Sequence, residues 1–310
     1  MDGQTLCRDV RKLLLEGDSS SFVDDRVTMD MLWEAAQQLN AEMQWNTKEY
    51  SFTTIVNQTN YTLPADFQEL YVMDNLNYYV LRINDGTSDT FFRWREFDKI
   101  YQDRVFFTGG QPIPNNFSIV DTTPTAQVTG AASMAGANTY GLSTLFVTPA
   151  VFQNVSVGDI VHNITDGSDG LVTQVLSTFA VQTALWNGAN DDWTGGDHFV
   201  ITPQPRLAVV LDPMPSVSGY TVYVPYVSRP DPVYSLYQSY NFPVSWRYAL
   251  TKYAAWMYKY RDKEPNYGDA WFKHWDDLLR KSKRIANRVR QRTSFKVNYN
   301  KRNLTDRSWR

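Results

Sequence analysis

Apolar residues recur every three or four positions near both ends of the chain, which is the spacing of one helical face. Residues 5–16 carry the first such stripe, and a second begins after Thr28, a residue type favoured as a helix N-cap. A third stripe follows Pro243, and a fourth covers residues 265–292. Helices joined by short breaks usually pack as antiparallel neighbours. The pattern therefore predicts a helical bundle formed by both chain ends.

The stripes on the two C-terminal helices identify the residues expected to hold this bundle together. On the last helix the apolar positions alternate in spacings of four and three, which is a heptad seam with one polar position at Ser282. On the preceding helix, Tyr260 also falls on the apolar face. The predicted helix-packing residues are Trp246, Tyr253, Met257, Trp271, Trp275, Leu278, Ile285 and Val289.

Between the chain ends the hydrophobic period changes to two, the pattern of half-buried β-strands. It is clear at residues 50–54 and 219–226, and shorter strand-like runs lie between residues 61 and 120 with a short helix at 95–103. Pro225, Pro230 and Pro232 are expected to lead the chain out of the last strand in an extended conformation. These strands predict a β-rich layer beside the helices.

Composition shifts after this first set of strands. Residues 121–142 are rich in Thr, Ala and Gly and almost uncharged, which predicts a flexible connection. Several short strands with Gly-Asp corners follow up to residue 202, and residues 165–170 predict a tight hairpin. Many short strands at regular spacing are typical of a small β-barrel or sandwich. We therefore expect a domain inserted into the β layer.

The fold class predicted from these patterns is α+β, with a bundle of N- and C-terminal helices, a β layer and an inserted small β-barrel or sandwich domain. The predicted boundaries are 1–48 with 233–292 for the helical bundle, 49–121 with 204–232 for the β-rich layer, 122–203 for the inserted domain, and 293–310 for an extended basic docking tail.

Charge is distributed unevenly along the chain. Residues 273–310 contain 13 Lys and Arg against three Asp and Glu, a balance of +10. The whole chain carries −3, so the other 272 residues carry −13. No run approaches 18 apolar residues, so no membrane partner is expected. The single cysteine excludes an internal disulfide framework, and we expect a soluble protein made in a reducing compartment.

Catalytic signatures are missing from the sequence. It contains none of the phosphate-binding glycine motifs, the His-Glu-x-x-His zinc motif or the Gly-x-Ser-x-Gly nucleophile motif. His162, His198 and His274 are more typical of packing residues than of a shared site, and so is Cys7. The sequence predicts no enzyme, no metal and no cofactor.

Two features of the inserted domain admit a binding interpretation beside a structural one. Asp159, Asp166 and Asp169 surround Gly-rich turns and carry oxygens of the kind that calcium prefers, but Asp-Gly is also the ordinary hairpin turn dipeptide. The turn interpretation is favoured because the EF-hand spacing is missing. Asp191-Asp192 beside Trp193 would suit a carbohydrate, whereas a surface loop is the simpler interpretation.

The basic C-terminal stretch has three interpretations. It is a solvated helix face with a frayed end, or it binds nucleic acid through Lys and Arg with interleaved aromatic residues, or it is an arm that docks on an acidic protein partner. The acidic remainder of the chain would repel a polyanion outside the tail. Docking on a protein is therefore favoured over binding to DNA.

The order of several stretches resembles the head-to-tail adaptor (connector) proteins of short- and long-tailed bacteriophages. These stretches are MDMLWEAAQQLN at 29–40, YTLPADFQEL at 61–70, LAVVLDPMPSVSGYTVYVPYVSRPDP at 207–232 and FPVSWRYALTKYAAWMYKYRDK at 242–263, followed by a basic helix. The resemblance covers about 230 residues and leaves out the insertion. Within the insertion, GDIVHNITDGSDGLVTQV at 158–175 looks like a small β-module of phage structural proteins.

This resemblance implies a non-enzymatic ring, commonly of twelve copies, beneath the portal protein in the neck of the virion, synthesised in the host bacterial cytoplasm. Such a homo-oligomer extends the channel for passing double-stranded DNA and carries tail nozzle and fibre proteins. The residues expected to dock on the portal are Arg288, Arg290, Arg292, Phe295, Lys296, Tyr299, Lys301, Arg302, Trp309 and Arg310. A nucleic-acid-binding protein using the same tail, and a carbohydrate-binding tail component using the inserted domain, are the alternatives.

Overall fold

The structure is a computed structural model that contains both helices and strands, so the α+β class is confirmed. It describes residues 2–17, 22–73, 78–79, 81–106, 113–122, 126–136, 138–139, 141–240, 242, 244–261 and 269–281. The helices are α1 (Gly3–Leu14), α2 (Asp25–Met43), α3 (Phe97–Phe106), α4 (Arg247–Arg261) and α5, which is described over 269–281. Short 3-10 turns lie at Phe152–Asn154 and Val244–Trp246.

The first two helices begin at aspartate caps. Asp2 accepts a hydrogen bond from the Thr5 amide at 2.7 Å, and Asp24 accepts one from the Val27 amide at 2.9 Å. The prediction that Thr28 caps the second helix is wrong, because Thr28 lies one turn inside it and its hydroxyl donates to the Asp24 carbonyl. Aspartate and threonine are both good caps, so sequence alone does not decide between them.

α1, α2 and α4 pack around one hydrophobic core. Leu6 and Val10 of α1, and Leu32 and Leu39 of α2, are almost completely buried in it. α4 adds Leu250 and a run of alanines that let the helices approach closely. The outer part of the α4 face differs from the prediction, because Tyr260 is 64% exposed and turns towards solvent.

Two antiparallel-rich sheets face each other beside the helices. The strands before the insertion are β1 (Thr47–Thr53), β2 (Asn60–Thr62), β3 (Phe67–Leu70), β4 (Val72–Met73), β5 (Tyr78–Tyr79), β6 (Arg82–Asn84), β7 (Asp89–Phe91), β8 (Arg93–Trp94) and β9 (Asn116–Asp121). Those after it are β16 (Leu207–Asp212) and β17 (Thr221–Ser228). One sheet has the order β1-β17-β6-β7 with β3 also on β17, and the other has the order β2-β16-β9-β8. Aromatic and aliphatic side chains from both sheets, including Phe67, Phe117 and Val224, form the core between them.

The last strand continues further than its sequence predicts. β17 passes through Pro225 and ends at Ser228, so Pro225 does not lead the chain out of the sheet. The Pro225 carbonyl accepts the Tyr71 amide at 3.1 Å, which places the missing Pro225 N–H on the side away from β1. On that side β17 changes partners from β6 to β3, so the proline is accommodated without loss of a regular ladder bond.

A second β structure follows β9. Its strands are β10 (Val128–Ala131), β11 (Ser143–Phe146), β12 (Ile160–Asn163), β13 (Ser168–Ser177), β14 (Ala180–Trp186) and β15 (His198–Thr202), in the antiparallel order β10-β15-β12-β13-β14-β11. A bridge between Met134 and Phe146 joins the two edges into a small barrel around its own core. The prediction of a flexible connection over 121–142 is wrong at β10, which pairs with β15 despite its Thr, Gly and Ala content. The predicted hairpin is confirmed, with Asn163 opposite Ser168.

Contacts on two sides hold the barrel against the rest of the molecule. The Arg26 guanidinium of α2 lies 3.4 Å from the centre of the Trp186 ring of β14. Where the barrel rejoins the β layer, Asp159 accepts the Gln204 amide at 3.0 Å, and Arg229 donates to the Gln204 side chain at 2.8 Å. These polar contacts fix the barrel at its neck.

Candidate functional site

Five of the eight predicted packing residues of the C-terminal helices lie in one cluster with α1 and α2. Trp246, Tyr253 and Trp275 are at most 4% exposed, and Met257 and Leu278 are partly buried against the same core. The Tyr253 hydroxyl donates to Glu34 of α2 at 2.7 Å and accepts from Gln38 at 2.9 Å. Burial and the neighbouring Glu34 carboxylate raise the pKa of Tyr253, so the phenol stays protonated.

α5 runs antiparallel to α4. The Trp275 ring lies 5.0 Å from the Tyr253 ring, and the Phe272 ring lies 4.8 Å from the Trp256 ring. Residue numbers increase along α5 in the direction in which they decrease along α4. Residue 281 therefore lies near the N-terminal end of α4. The basic C-terminal segment therefore starts from that end of the helices.

Trp271 is half-buried, and its ring lies 6.4 Å from the ring of His274. Ile285 and Val289 fall outside the described residues, as do all ten residues expected to dock on the portal. Those ten are Arg288, Arg290, Arg292, Phe295, Lys296, Tyr299, Lys301, Arg302, Trp309 and Arg310.

Large apolar side chains are exposed around the first turn of α4. Trp45, just after α2, is 62% exposed and touches the edge of the buried Trp246 ring, with 6.3 Å between ring centres. Val244 and Tyr248, on either side of Trp246, are 79% and 67% exposed. We call these three residues, Trp45, Val244 and Tyr248, the Trp45 surface. Exposed apolar groups gathered at one place mark an interaction site more often than a solvated face.

A cleft of about 440 Å³ opens beside the Trp45 surface, between the helices and the β layer. Its lining includes the aromatic residues Trp45, Trp246 and Phe242 and the polar residues Asn40 and Lys48. The Asn40 amide donates to Gln68 and to the Ser228 carbonyl, both at 2.8 Å, and Lys48 pairs with Asp66 at 2.6 Å. Both side chains therefore have structural partners within the protein.

His162 and Asp159, two of the groups considered for chemistry, have structural partners. The His162 ring pairs with Asp169 at 2.5 Å, and Asp159 accepts the Ser156 amide at 2.7 Å. No three His, Cys, Asp or Glu side chains among the described residues converge on a possible metal position. Burial raises the pKa of Cys7 to about 12, so the thiol is protonated at neutral pH and is a poor nucleophile.

The carbohydrate platform suggested by Trp193 is contradicted. Its indole is 1% exposed, and its N–H donates to the Thr183 hydroxyl at 2.8 Å inside the barrel. Asp191 accepts the Gly188 amide at 3.0 Å, so it organises its own loop. Trp193 is therefore a core residue of the barrel.

The Trp45 surface was not identified from the sequence. The signal that could have revealed it is an apolar residue just past the end of a helical stripe, since Trp45 follows the last buried residue of α2, Met43. Val244 and Tyr248 fall off the stripe of α4, on positions that a simple helix would give to polar residues.

No helix among the described residues is both long and apolar enough to cross a membrane. Residues 1–137 match the model of a family described as SU10 adaptor protein, a phage adaptor family. The match includes α1, α2 and the β layer up to β9, and it ends in the barrel just after β10. The resemblance to phage adaptor proteins is thereby confirmed over this part of the chain. No curated protein matches the chain.

Proposed function

We propose, from the match of residues 1–137 to a phage adaptor family, that this protein is a structural head-to-tail adaptor of a bacteriophage. In this proposal several copies form a ring beneath the portal, with twelve as the number common to such rings. The ring extends the DNA channel and carries the tail nozzle or fibres. The protein acts by binding and positioning, without a chemical step.

The family match is the observation that carries the proposal, and the helical end of the molecule supports its details. The Trp45 surface offers exposed aromatic groups, which are frequent anchors of protein interfaces. Residue 281 of α5 lies at the same end, and residues 282–310, which follow it, contain ten cations and one acid. An apolar anchor combined with a basic arm suits a protein partner with an acidic groove, and we assign the portal to that role.

Charge also supports the location in a DNA channel. The 272 residues outside the basic segment carry −13, and like charge lowers the affinity of a channel wall for DNA. DNA passing through a ring of such subunits would meet a repulsive wall and slide without sticking. The basic segment would then be directed to the portal and away from the DNA.

Portal rings of the same phage, mixed with the full chain or with a variant lacking residues 294–310, test this role. We expect the shortened chain to keep its circular dichroism and to lose portal binding in a pull-down. Arg280→Gln with Lys281→Gln, at exposed cations before the tail, is the control and should still bind. Unchanged binding after the deletion would overturn the role of the tail.

DNA-binding measurements on the full chain and on one further variant separate portal docking from nucleic-acid binding. The adaptor proposal expects weak DNA binding by the full chain at physiological salt. Tight DNA binding that falls steeply with salt, and disappears when Arg288, Arg290 and Arg292 are changed to Ala, would instead favour the nucleic-acid alternative.

A further inference from the structure

The sheet with the order β1-β17-β6-β7 ends on each side in a strand with one unpaired edge in the described part of the chain. β1 has seven residues, and its side chains at Glu49, Ser51 and Thr53 are exposed. β7 is shorter, and all three of its residues are exposed. Edges of this kind are templates for pairing with another chain unless they are protected.

Backbone groups on both edges point outwards. At the two ends of the β1–β17 pair, the Asn46 carbonyl accepts from the Ser228 amide and the Thr54 amide donates to the Tyr220 carbonyl. In an antiparallel pair the backbone groups face the partner at every second residue. The backbone N–H and C=O groups of the exposed residues in between therefore face away from β17, at Glu49, Ser51 and Thr53. On β7, the flanking Ser88 and Phe92 bond towards β6, which turns Asp89 and Phe91 outwards. Each edge therefore offers N–H and C=O groups at every second residue.

The two edge strands have the directions and the residue register that antiparallel pairing with each other requires. Each neighbouring pair in the sheet is antiparallel, so β7 runs opposite to β1 and a second β1 placed beside it would continue the alternation. One row of paired residues joins Ser51 through Tyr223 and Arg82 to Phe91. The next row joins Thr53 through Thr221 and Asn84 to Asp89. In a flat closed ring these rows stay level from one copy to the next.

Apolar side chains flank both edges. Phe91, the last residue of β7, is 59% exposed, and Trp94, which follows, is 44% exposed. Tyr101 of α3 is 62% exposed, with its ring 6.4 Å from that of Phe97. Directly after β1, Ile55 and Val56 are 51% and 43% exposed. In the other sheet, Trp94 is paired with Phe117, and Phe117 is paired with Leu211. The Leu211 amide donates to the Thr59 carbonyl, which lies in the loop after Val56. The aromatic group and the aliphatic loop are thus at similar levels on opposite flanks.

We propose that β7 of one copy pairs antiparallel with β1 of a second copy of this chain, so that the sheet continues from subunit to subunit around the ring. In the register that the rows give, Phe91 is opposite Ser51 of the neighbouring copy and Asp89 is opposite Thr53. Each such pair exchanges two backbone hydrogen bonds, and the exposed aromatic side chains cover the neighbour's Ile55 and Val56. A head-to-tail contact that uses two different surfaces closes into a ring when its rotation closes. This inference rests on the proposed ring and adds the surface through which the ring forms.

Cross-linking at the two edges tests the pairing. The variant Phe91→Cys with Ser51→Cys places one thiol on each edge, while the native Cys7 is completely buried and remains silent. Treated with a short bis-maleimide after assembly on portal, it should give covalent oligomers larger than two. Ser51→Cys with Thr178→Cys, whose second thiol lies on the exposed barrel hairpin, is the control and should give none.

A backbone variant provides the second measurement. Ser51→Pro removes one outward N–H and no bond to β17, whereas Ser51→Ala keeps that N–H and removes the same hydroxyl. We expect rings in negative-stain images from Ser51→Ala and loss of rings from Ser51→Pro, with equal circular dichroism for both. If both variants form rings and the double cysteine variant stays monomeric, the strand pairing is overturned and the proposed function stands. If the unchanged protein forms no ring with portal, the proposed function itself is overturned.

Discussion

The Trp275 ring lies 5.0 Å from the Tyr253 ring, and this contact fastens α5 to the core that α4 shares with α1 and α2. Trp275 is 3% exposed, so nearly all of its surface is removed from water. The contact thus attaches α5 to a core that contains helices from both the N-terminal and the C-terminal part of the chain.

Replacing Trp275 with Ala should lower the free energy of unfolding by about 3–5 kcal/mol, the usual cost of emptying a buried tryptophan site. Urea titration followed by circular dichroism measures the change. Tyr260→Ala removes a comparable ring that is 64% exposed, and it should cost less than about 1 kcal/mol. Equal costs for the two variants would contradict the assigned packing of α5.

The contact between Arg26 and Trp186 should couple the barrel to the helices. A double-mutant cycle with Arg26→Ala and Trp186→Ala is expected to give a coupling free energy of about 0.5–2 kcal/mol, the range of cation–π pairs. Asp30 pairs with Arg26 at 2.8 Å and is left in place in all four proteins. A coupling energy of zero would mean that the barrel is held by its neck alone.

Cys7 should make the protein sensitive to alkali. Its pKa is about 12 in the folded chain because burial disfavours the thiolate, against an ordinary value of 9.0. The raised pKa means that this contribution to stability is complete below pH 9 and is lost as the pH rises towards 12. The full effect is about 4 kcal/mol for a shift of this size.

Cys7→Ala isolates that contribution from those of other groups that titrate in the same range. The stability difference between the unchanged protein and the variant should be constant below pH 9 and should shift in favour of the variant between pH 9 and 12. Urea titrations at several pH values measure it. A difference that does not vary with pH would show that the Cys7 thiol is not buried as described.

The Trp45 surface should contribute to portal binding. Trp45→Ala removes an exposed ring, so we expect little change in stability and a portal dissociation constant about 10- to 100-fold larger, as for an interface anchor. Phe179→Ala, on the barrel hairpin at 51% exposure, is the matched control and should bind as the unchanged protein does. Equal effects of the two substitutions on binding would remove the Trp45 surface from the interface.

Local patterns predicted the elements that depend on near neighbours in the chain. The stripe of α1 and the hairpin between Asn163 and Ser168 follow from spacing and turn chemistry, and both are present. β10 was missed because Gly130 and Ala131 have low strand propensity and the surrounding stretch is rich in Gly and Ala. Its pairing with β15, about 70 residues away, decides its conformation. Trp193 was misread for a similar reason, since only the closed barrel buries it.

The candidate docking surface could be predicted only in part. Charge and spacing identified the basic tail and the packing face of Trp246 and Trp275, because both are properties of one segment. The exposure of Trp45 and Tyr248 depends on how α2, α4 and the β layer come together. The free edges at β1 and β7 also depend on a strand order that local sequence does not encode.

The most direct test of the adaptor role is a cryo-electron-microscopy reconstruction of the neck of the assembled phage particle. We expect a closed ring of copies of this chain immediately beneath the portal, with Trp45 and the C-terminal segment on the portal side. Density for this chain elsewhere in the particle, or a neck without such a ring, would contradict it.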